Sequence, residues 1–189
     1  MTFPQSGEGN NARLVEECLR GSEQAWNTLV DRYKNLIYSI PLRYGAPPQD
    51  AADIFQAVCL DLFNELPRLR EVEALQGWLI KVTSHKCYHW KRQRCAQSAQ
   101  CDEKALEGIS DGAPGADLVA ELEQDQMVRE AVAKLPGRCK EMIELLFFEH
   151  PPLPYAEVAL RLRLARGSIG FIRGRCLKRL KQFLEEKGF

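Results

Sequence analysis

The sequence predicts an all-α protein of two small helical domains joined by a flexible linker, with a helix-turn-helix at the C-terminal end of the second domain. Apolar residues recur at helical spacings along most of the 189 residues, and β-branched runs with strand-like alternation are absent. The helical periodicity lapses at residues 96–116, which are polar and contain Gly, Ser and Pro. We therefore expect a linker at 96–116 between domains at 1–95 and 117–189.

Composition narrows the classes of function that fit. Basic and acidic residues number 26 each, so a formal net charge of zero argues against a uniformly basic nucleic-acid binder. No window approaches about eighteen apolar residues, and the first residues lack the layout of a signal peptide. We therefore expect a cytoplasmic protein without membrane insertion.

The seven cysteines are odd in number, irregular in spacing and without a CxxC motif, which is typical of free thiols in a reducing compartment.

Four helices are predicted in the first domain. The first begins near residue 10 or 11, and the second begins near residue 23 and is kinked or ended by Pro41. The third, at 50–66, is stopped by Pro67 and has Ile54, Val58 and Leu62 as its apolar stripe with Phe63 alongside. Its polar face is mainly acidic and consists of Asp50, Asp53, Gln56, Asp61 and Glu65. That face is either a surface for a protein partner or an ordinary solvated face.

The fourth predicted helix, at 75–94, contains no acidic residue and combines basic with aromatic side chains. Trp78 is expected in the core, whereas Tyr88 and Trp90 are interleaved with lysines and arginines. Cations neutralise phosphates and aromatic rings stack on unpaired bases, so this pattern favours single-stranded nucleic acid.

The C-terminal stretch at 153–180 predicts a short helix, a tight turn and a longer basic helix. No acidic residue occurs between Glu157 and Glu185. The second helix has an apolar stripe formed by Ile169, Ile172, Cys176 and Leu180. Such a pair is typical of a helix-turn-helix that lays its second helix against DNA. The alternative is two packed helices with a solvated basic face.

Five motifs in a fixed order resemble those of bacterial RNA polymerase sigma factors of the extracytoplasmic-function (ECF) group. They are Asp53-Ile54-Phe55-Gln56, Trp78-Leu79, the basic run Lys91-Arg92-Gln93-Arg94, the stretch from Leu135 to Glu141, and Tyr155-Ala156-Glu157-Val158-Ala159. The chain departs from the family pattern where His85 and His89 replace a common N-x-x-x-D, and where Arg163 replaces the usual turn glycine.

The resemblance implies three binding surfaces. Core RNA polymerase would contact the third helix through Asp53, Gln56 and Leu60. Duplex promoter DNA would contact the face of the last helix opposite its apolar stripe, through Ser168, Gly170, Phe171, Arg173, Arg175, Lys178 and Arg179. The melted, single-stranded promoter would contact the fourth helix through Lys81, His85, Lys86, Tyr88, His89, Lys91 and Arg92. The resemblance also allows an anti-sigma protein as a partner, and it implies neither a cofactor nor a resident metal.

Two other classes of protein are alternatives to a sigma factor. A stand-alone helix-turn-helix regulator with an N-terminal helical dimerisation domain explains 153–180 but not the third and fourth helices. A metal or thiol enzyme would use His85, Cys87, His89, Cys95 and Cys101. HExxH, Walker and nucleophile-elbow motifs are absent, so the chain is not expected to be an enzyme.

Overall fold

The computed structural model describes residues 7–69, 72–97, 114–149, 151–186 and 188–189. These residues contain helices and no strand, which confirms the predicted all-α class. The helices are α1 Gly7–Leu19, α2 Glu23–Arg43, α3 Pro48–Glu65, α4 Leu75–Gln97, α5 Ala116–Ala133, α6 Gly137–Ile143, α7 Tyr155–Arg161 and α8 Ile169–Glu185. Among the described helices, none is both long and apolar enough to span a membrane.

The chain divides into two compact units, Met1–Glu123 and Gln124–Phe189. The division falls within α5, and Leu122 near its middle is fully buried in the core of the first unit. The linker predicted at 96–116 lies mainly outside the described residues, which omit 98–113. The linker and the domain limits given above therefore stay predictions.

The first unit is built around α2, which packs against α1, α3 and α4. Its long apolar face supplies the fully buried side chains Leu29, Tyr33 and Ile40. Ser22 caps the helix, because its Oγ accepts a hydrogen bond from the Ala25 N–H at 3.2 Å. The helix does not end at Pro41 but continues to Arg43, although the proline has no N–H to donate to the Ile37 carbonyl.

The second unit has a separate core between α6, α7 and α8. Met142, Val158 and Ile169 are fully buried there. Helix α6 is followed directly by a π-helical turn at Glu144–Phe148. This turn leaves Phe147 and Phe148 exposed while Leu145 and Leu146 are buried.

The expectation that all cysteines are free thiols is wrong. A disulfide joins Cys139 of α6 to Cys176 of α8, with their Cα atoms 5.3 Å apart, and Cys95 is disulfide-bonded as well. The free cysteines in the described part of the chain are Cys18, Cys59 and Cys87. Helical periodicity places Cys176 on a core-facing stripe, but a separation of 37 residues gives no sign of which helix lies opposite.

Removing this cross-link should loosen the second unit. A loop of 37 residues corresponds to about 4 kcal/mol of chain entropy lost from the unfolded state. We therefore expect Cys139→Ser to increase amide hydrogen exchange throughout α6 and α8. The control is reductant, which should loosen α6 and α8 of the wild-type protein to the same degree and leave these two helices of the variant unchanged. Equal exchange in oxidised and reduced wild-type protein would contradict the prediction.

Candidate nucleic-acid interface

Helix α4 has one face in the core of the first unit and the opposite face in solvent. Leu79, Ile80, Thr83 and Cys87 are fully buried, and the Thr83 hydroxyl donates to the Leu79 carbonyl at 2.6 Å. Burial raises the pKa of the Cys87 thiol to about 12. This face is fixed by packing, so only the remaining face of α4 is open to a ligand.

The open face carries a strip of basic and aromatic residues, which we call the α4 strip. Each member lies three or four residues from at least one other member, so all of them share one side of the helix. They are Lys81, His85, Tyr88, His89 and Arg92. All are exposed except Tyr88, which is partly buried and whose ring centroid lies 5.8 Å from that of His89. The structure thus brings together five of the seven residues predicted to contact single-stranded DNA.

Lys86 lies outside the α4 strip because it pairs with α3. Its Nζ is 2.7 Å from a carboxylate oxygen of Asp61. Farther along α4, the indole Nε1 of Trp90 and a guanidinium nitrogen of Arg94 both donate to the same oxygen of Asp50 at 2.9 Å. Lys91, the remaining residue of that prediction, is partly buried and has an interaction of its own.

Helix α3 therefore uses its acidic side chains in two ways, which the sequence alone did not distinguish. Asp50 and Asp61 hold α4, whereas Asp53, Gln56 and Leu60 lie on an exposed stripe that faces away. Ion pairs at such partly exposed positions stabilise weakly. Their main effect is to orient the side chains of α4 that point towards α3.

The exposed stripe of α3 also contains Phe63, contrary to the expectation that this ring lies alongside the core. Phe63 is 66% exposed and Leu60 is 65% exposed. The ring of Phe63 makes an edge contact with Trp26, with centroids 5.5 Å apart, at the rim of a cleft of about 430 Å³. The sequence contained one indication of this exposure. Phe63 lies three residues after Leu60 and seven after Gln56, which places it on the same side of α3 as both. We call Asp53, Gln56, Leu60 and Phe63 the α3 stripe.

In the second unit, the chain turns between α7 and α8 through Arg163, which has a left-handed φ of +53°. The Arg163 N–H donates to the Leu160 carbonyl at 3.2 Å, and the Leu164 N–H donates to the Ala159 carbonyl at 2.8 Å. These two bonds are those of a Schellman motif, in which glycine normally occupies the left-handed position. A 3-10 turn at Arg166–Ser168 then leads into α8.

The exposed side of α8 presents Phe171 and Arg175, the guanidinium of Arg175 lying 6.0 Å from the ring centroid of Phe171. Phe171 is 72% exposed. The other exposed members of the predicted duplex-reading set are Gly170, Lys178 and Arg179, and Ser168 is partly buried with its hydroxyl donating to the Ala165 carbonyl at 2.7 Å.

Arg173 stands apart from the rest of the duplex-reading set. Its guanidinium lies 5.7 Å from the ring centroid of Tyr155 and donates to the Tyr155 hydroxyl. Its Nε is buried. A role for Arg173 in contacting DNA therefore stays a prediction, and its observed contact is between α8 and the start of α7.

Comparisons with known proteins agree with this architecture. Residues 29–96, which include α3 and all but the last residue of α4, match Sigma-70 region 2. The ECF RNA polymerase sigma-E factor of Escherichia coli strain K12 is 25% identical over 164 residues, or 82% of this chain and 84% of the relative. The RNA polymerase sigma-H factor of Pseudomonas aeruginosa is 22% identical over 165 residues, or 83% and 84%.

The match to region 2 defines the class of this part of the chain: residues 29–96 form a Sigma-70 region 2 domain. Over most of its length the chain is similar to RNA polymerase sigma factors, of which the relative in Escherichia coli is named an ECF factor. The family recognised from the five sequence motifs is thereby confirmed.

The unusual residue in the turn between α7 and α8 gives a testable prediction. Arg163→Gly should raise the free energy of unfolding by about 1 kcal/mol, because glycine adopts a left-handed conformation without the Cβ penalty. Arg163→Ala is the matched control, since it removes the same side chain but keeps the Cβ. Urea titrations followed by far-UV circular dichroism would measure both. Equal stability of the two variants would show that the left-handed conformation costs nothing here.

Proposed function

We propose that this protein is a sigma factor that binds core RNA polymerase and directs promoter-specific initiation of transcription. In this proposal α8 reads the upstream promoter element as duplex, and the α4 strip captures the melted downstream element as a single strand. The observation that carries the proposal is the α4 strip itself, an exposed basic and aromatic surface within the segment that matches Sigma-70 region 2.

The α3 stripe is the surface proposed for polymerase. It combines a carboxylate and an amide with two large apolar side chains that are two-thirds exposed. An exposed apolar surface rimmed by polar groups is typical of a protein interface. Both named relatives are RNA polymerase sigma factors, which supports core polymerase as the partner.

The α4 strip suits an unpaired strand for two physical reasons. Lys81 and Arg92 supply positive charge for the phosphates, and Tyr88 supplies a ring on which an unpaired base can stack. The histidines lie between these charges on the same exposed side. No acidic residue occurs on Leu75–Gln97, so this helix carries no charge of its own that repels a phosphate backbone.

Helix α8 suits duplex DNA. A helix fits the major groove, where a few side chains reach base edges while others contact phosphates. Arg175, Lys178 and Arg179 supply those charges, and Phe171 offers an apolar contact for a thymine methyl group. Gly170 and Gly174 have open space where a side chain would project, so they allow the backbone to come close to DNA.

A stand-alone regulator with a helix-turn-helix would need α7 and α8 but gives no role to the α3 stripe or the α4 strip. Co-purification with core polymerase distinguishes a sigma factor from such a regulator, which would instead form homodimers. An anti-sigma partner and a cytoplasmic location stay predictions from the sequence.

The direct test is transcription in vitro with core polymerase and a library of promoter fragments. We expect the protein to start transcripts from a subset of templates, and only when core polymerase is present. Initiation should fall when Leu60 and Phe63 are both replaced by Ser, because the α3 stripe then loses its apolar contacts with polymerase. Absence of core-dependent transcripts from every template would overturn the proposed function.

The two proposed DNA surfaces can be separated on different templates selected from that library. Tyr88→Ala should weaken binding of the polymerase complex to a forked template with a single-stranded downstream element. The loss should be about tenfold, since stacking on an aromatic ring contributes roughly 1–3 kcal/mol per base. Arg175→Ala should instead weaken binding to fully duplex upstream DNA.

Gln24→Ala is the control, because Gln24 is exposed on α2, outside both proposed DNA surfaces. It should bind both templates as the wild-type protein does. Equal losses on both templates for Tyr88→Ala and Arg175→Ala would contradict the division of labour between α4 and α8.

A further inference from the structure

The α4 strip contains a pair of histidines whose outer ring nitrogens meet. The Nε2 atoms of His85 and His89 are 3.1 Å apart, and the ring centroids are separated by 4.4 Å. Both side chains are exposed and lie one helical turn apart. The two nitrogens therefore converge on one point in solvent above α4.

The separation of the two nitrogens is that of a chelating pair. A metal ion at about 2.0–2.1 Å from each nitrogen places the nitrogens about 2.9 Å apart at a right angle and about 3.4 Å apart at the tetrahedral angle. The observed 3.1 Å lies between these values. The rotamers that bring the two Nε2 atoms together are thus already those of a chelate.

We propose that His85 and His89 bind a divalent transition-metal ion of the Zn²⁺, Ni²⁺ and Cu²⁺ class through their Nε2 atoms. Imidazole nitrogen is a ligand that these ions share, whereas Mg²⁺ and Ca²⁺ prefer oxygen. Each ring then carries its proton on Nδ1, and the hydrogen bond between the two Nε2 atoms is replaced by two bonds to the metal.

The site is open. Within the described parts of the chain, no group of three His, Cys, Asp or Glu side chains is arranged to hold a metal. Water or a ligand from outside the protein must therefore complete the coordination, as in sites that keep exchangeable positions. Lys81 and Arg92 on the same strip repel a dication, so binding should be moderate and should strengthen as salt screens that repulsion.

The chain offers a clean set of variants for the test because it has only three histidines. The full-length protein, with its accessible thiols alkylated, is titrated with Zn²⁺ and separately with Ni²⁺ in a calorimeter. His85→Gln and His89→Gln each remove one ligand, and His150→Gln is the control. Helical content from circular dichroism verifies that all variants are folded.

We expect one equivalent of metal on the wild-type protein and on His150→Gln, and at least tenfold weaker binding by each of the other two variants. Nuclear magnetic resonance should show that Zn²⁺ shifts the Nε2 signals of His85 and His89 together. Binding that survives either single substitution, or that is lost in His150→Gln, would overturn the proposal. The titration contains neither polymerase nor DNA, so its result is independent of the proposed function.

Discussion

The organisation of the first unit depends on the packing of α4, a helix with no acidic residue that must be buried on one side. Leu79, Ile80 and Cys87 fill the core with essentially no exposure. A buried helix face fixes the rotation of the whole helix and thereby determines which side chains point into solvent on the opposite face. The α4 strip is therefore presented on a rigid element, which is an advantage for a binding surface.

Charge on α3 reinforces this arrangement. Asp61 pairs with Lys86, and Asp50 accepts hydrogen bonds from both Trp90 and Arg94. These contacts hold the basic residues that point towards α3 and leave the strip on the far side as the exposed cationic surface of the helix. The neutral net charge of the chain conceals this separation, because neighbouring helices contribute opposite charges that meet at specific atoms.

Helical periodicity and breaking residues predicted the all-α class and most of the helices, since apolar spacing directly reports which side of a helix is buried. Contacts between helices were not predicted. Lys86 pairs with Asp61 of α3, which the sequence did not indicate, and its role in contacting DNA stays a prediction. The pairing of Cys139 with Cys176 and the exposure of Phe63 depend on which helices are neighbours, and a single sequence carries little of that information.

The α4 strip combines residues that follow the family pattern with residues that depart from it. Its basic and aromatic members were expected from the sequence, but its two histidines depart from the N-x-x-x-D pattern of the resemblance. The structure places the Nε2 atoms of these histidines in contact, and this contact is the basis for the metal site proposed above, which the resemblance did not imply.

The most direct measurement of the central claim is site-specific crosslinking in the open promoter complex. A photoreactive amino acid in place of Tyr88 should crosslink to the unpaired promoter strand when core polymerase is present. The same group in place of Gln24, which is exposed on α2 and lies off the strip, should not. Crosslinks from position 88 to duplex DNA or to polymerase alone would contradict the assignment of the α4 strip to single-stranded DNA.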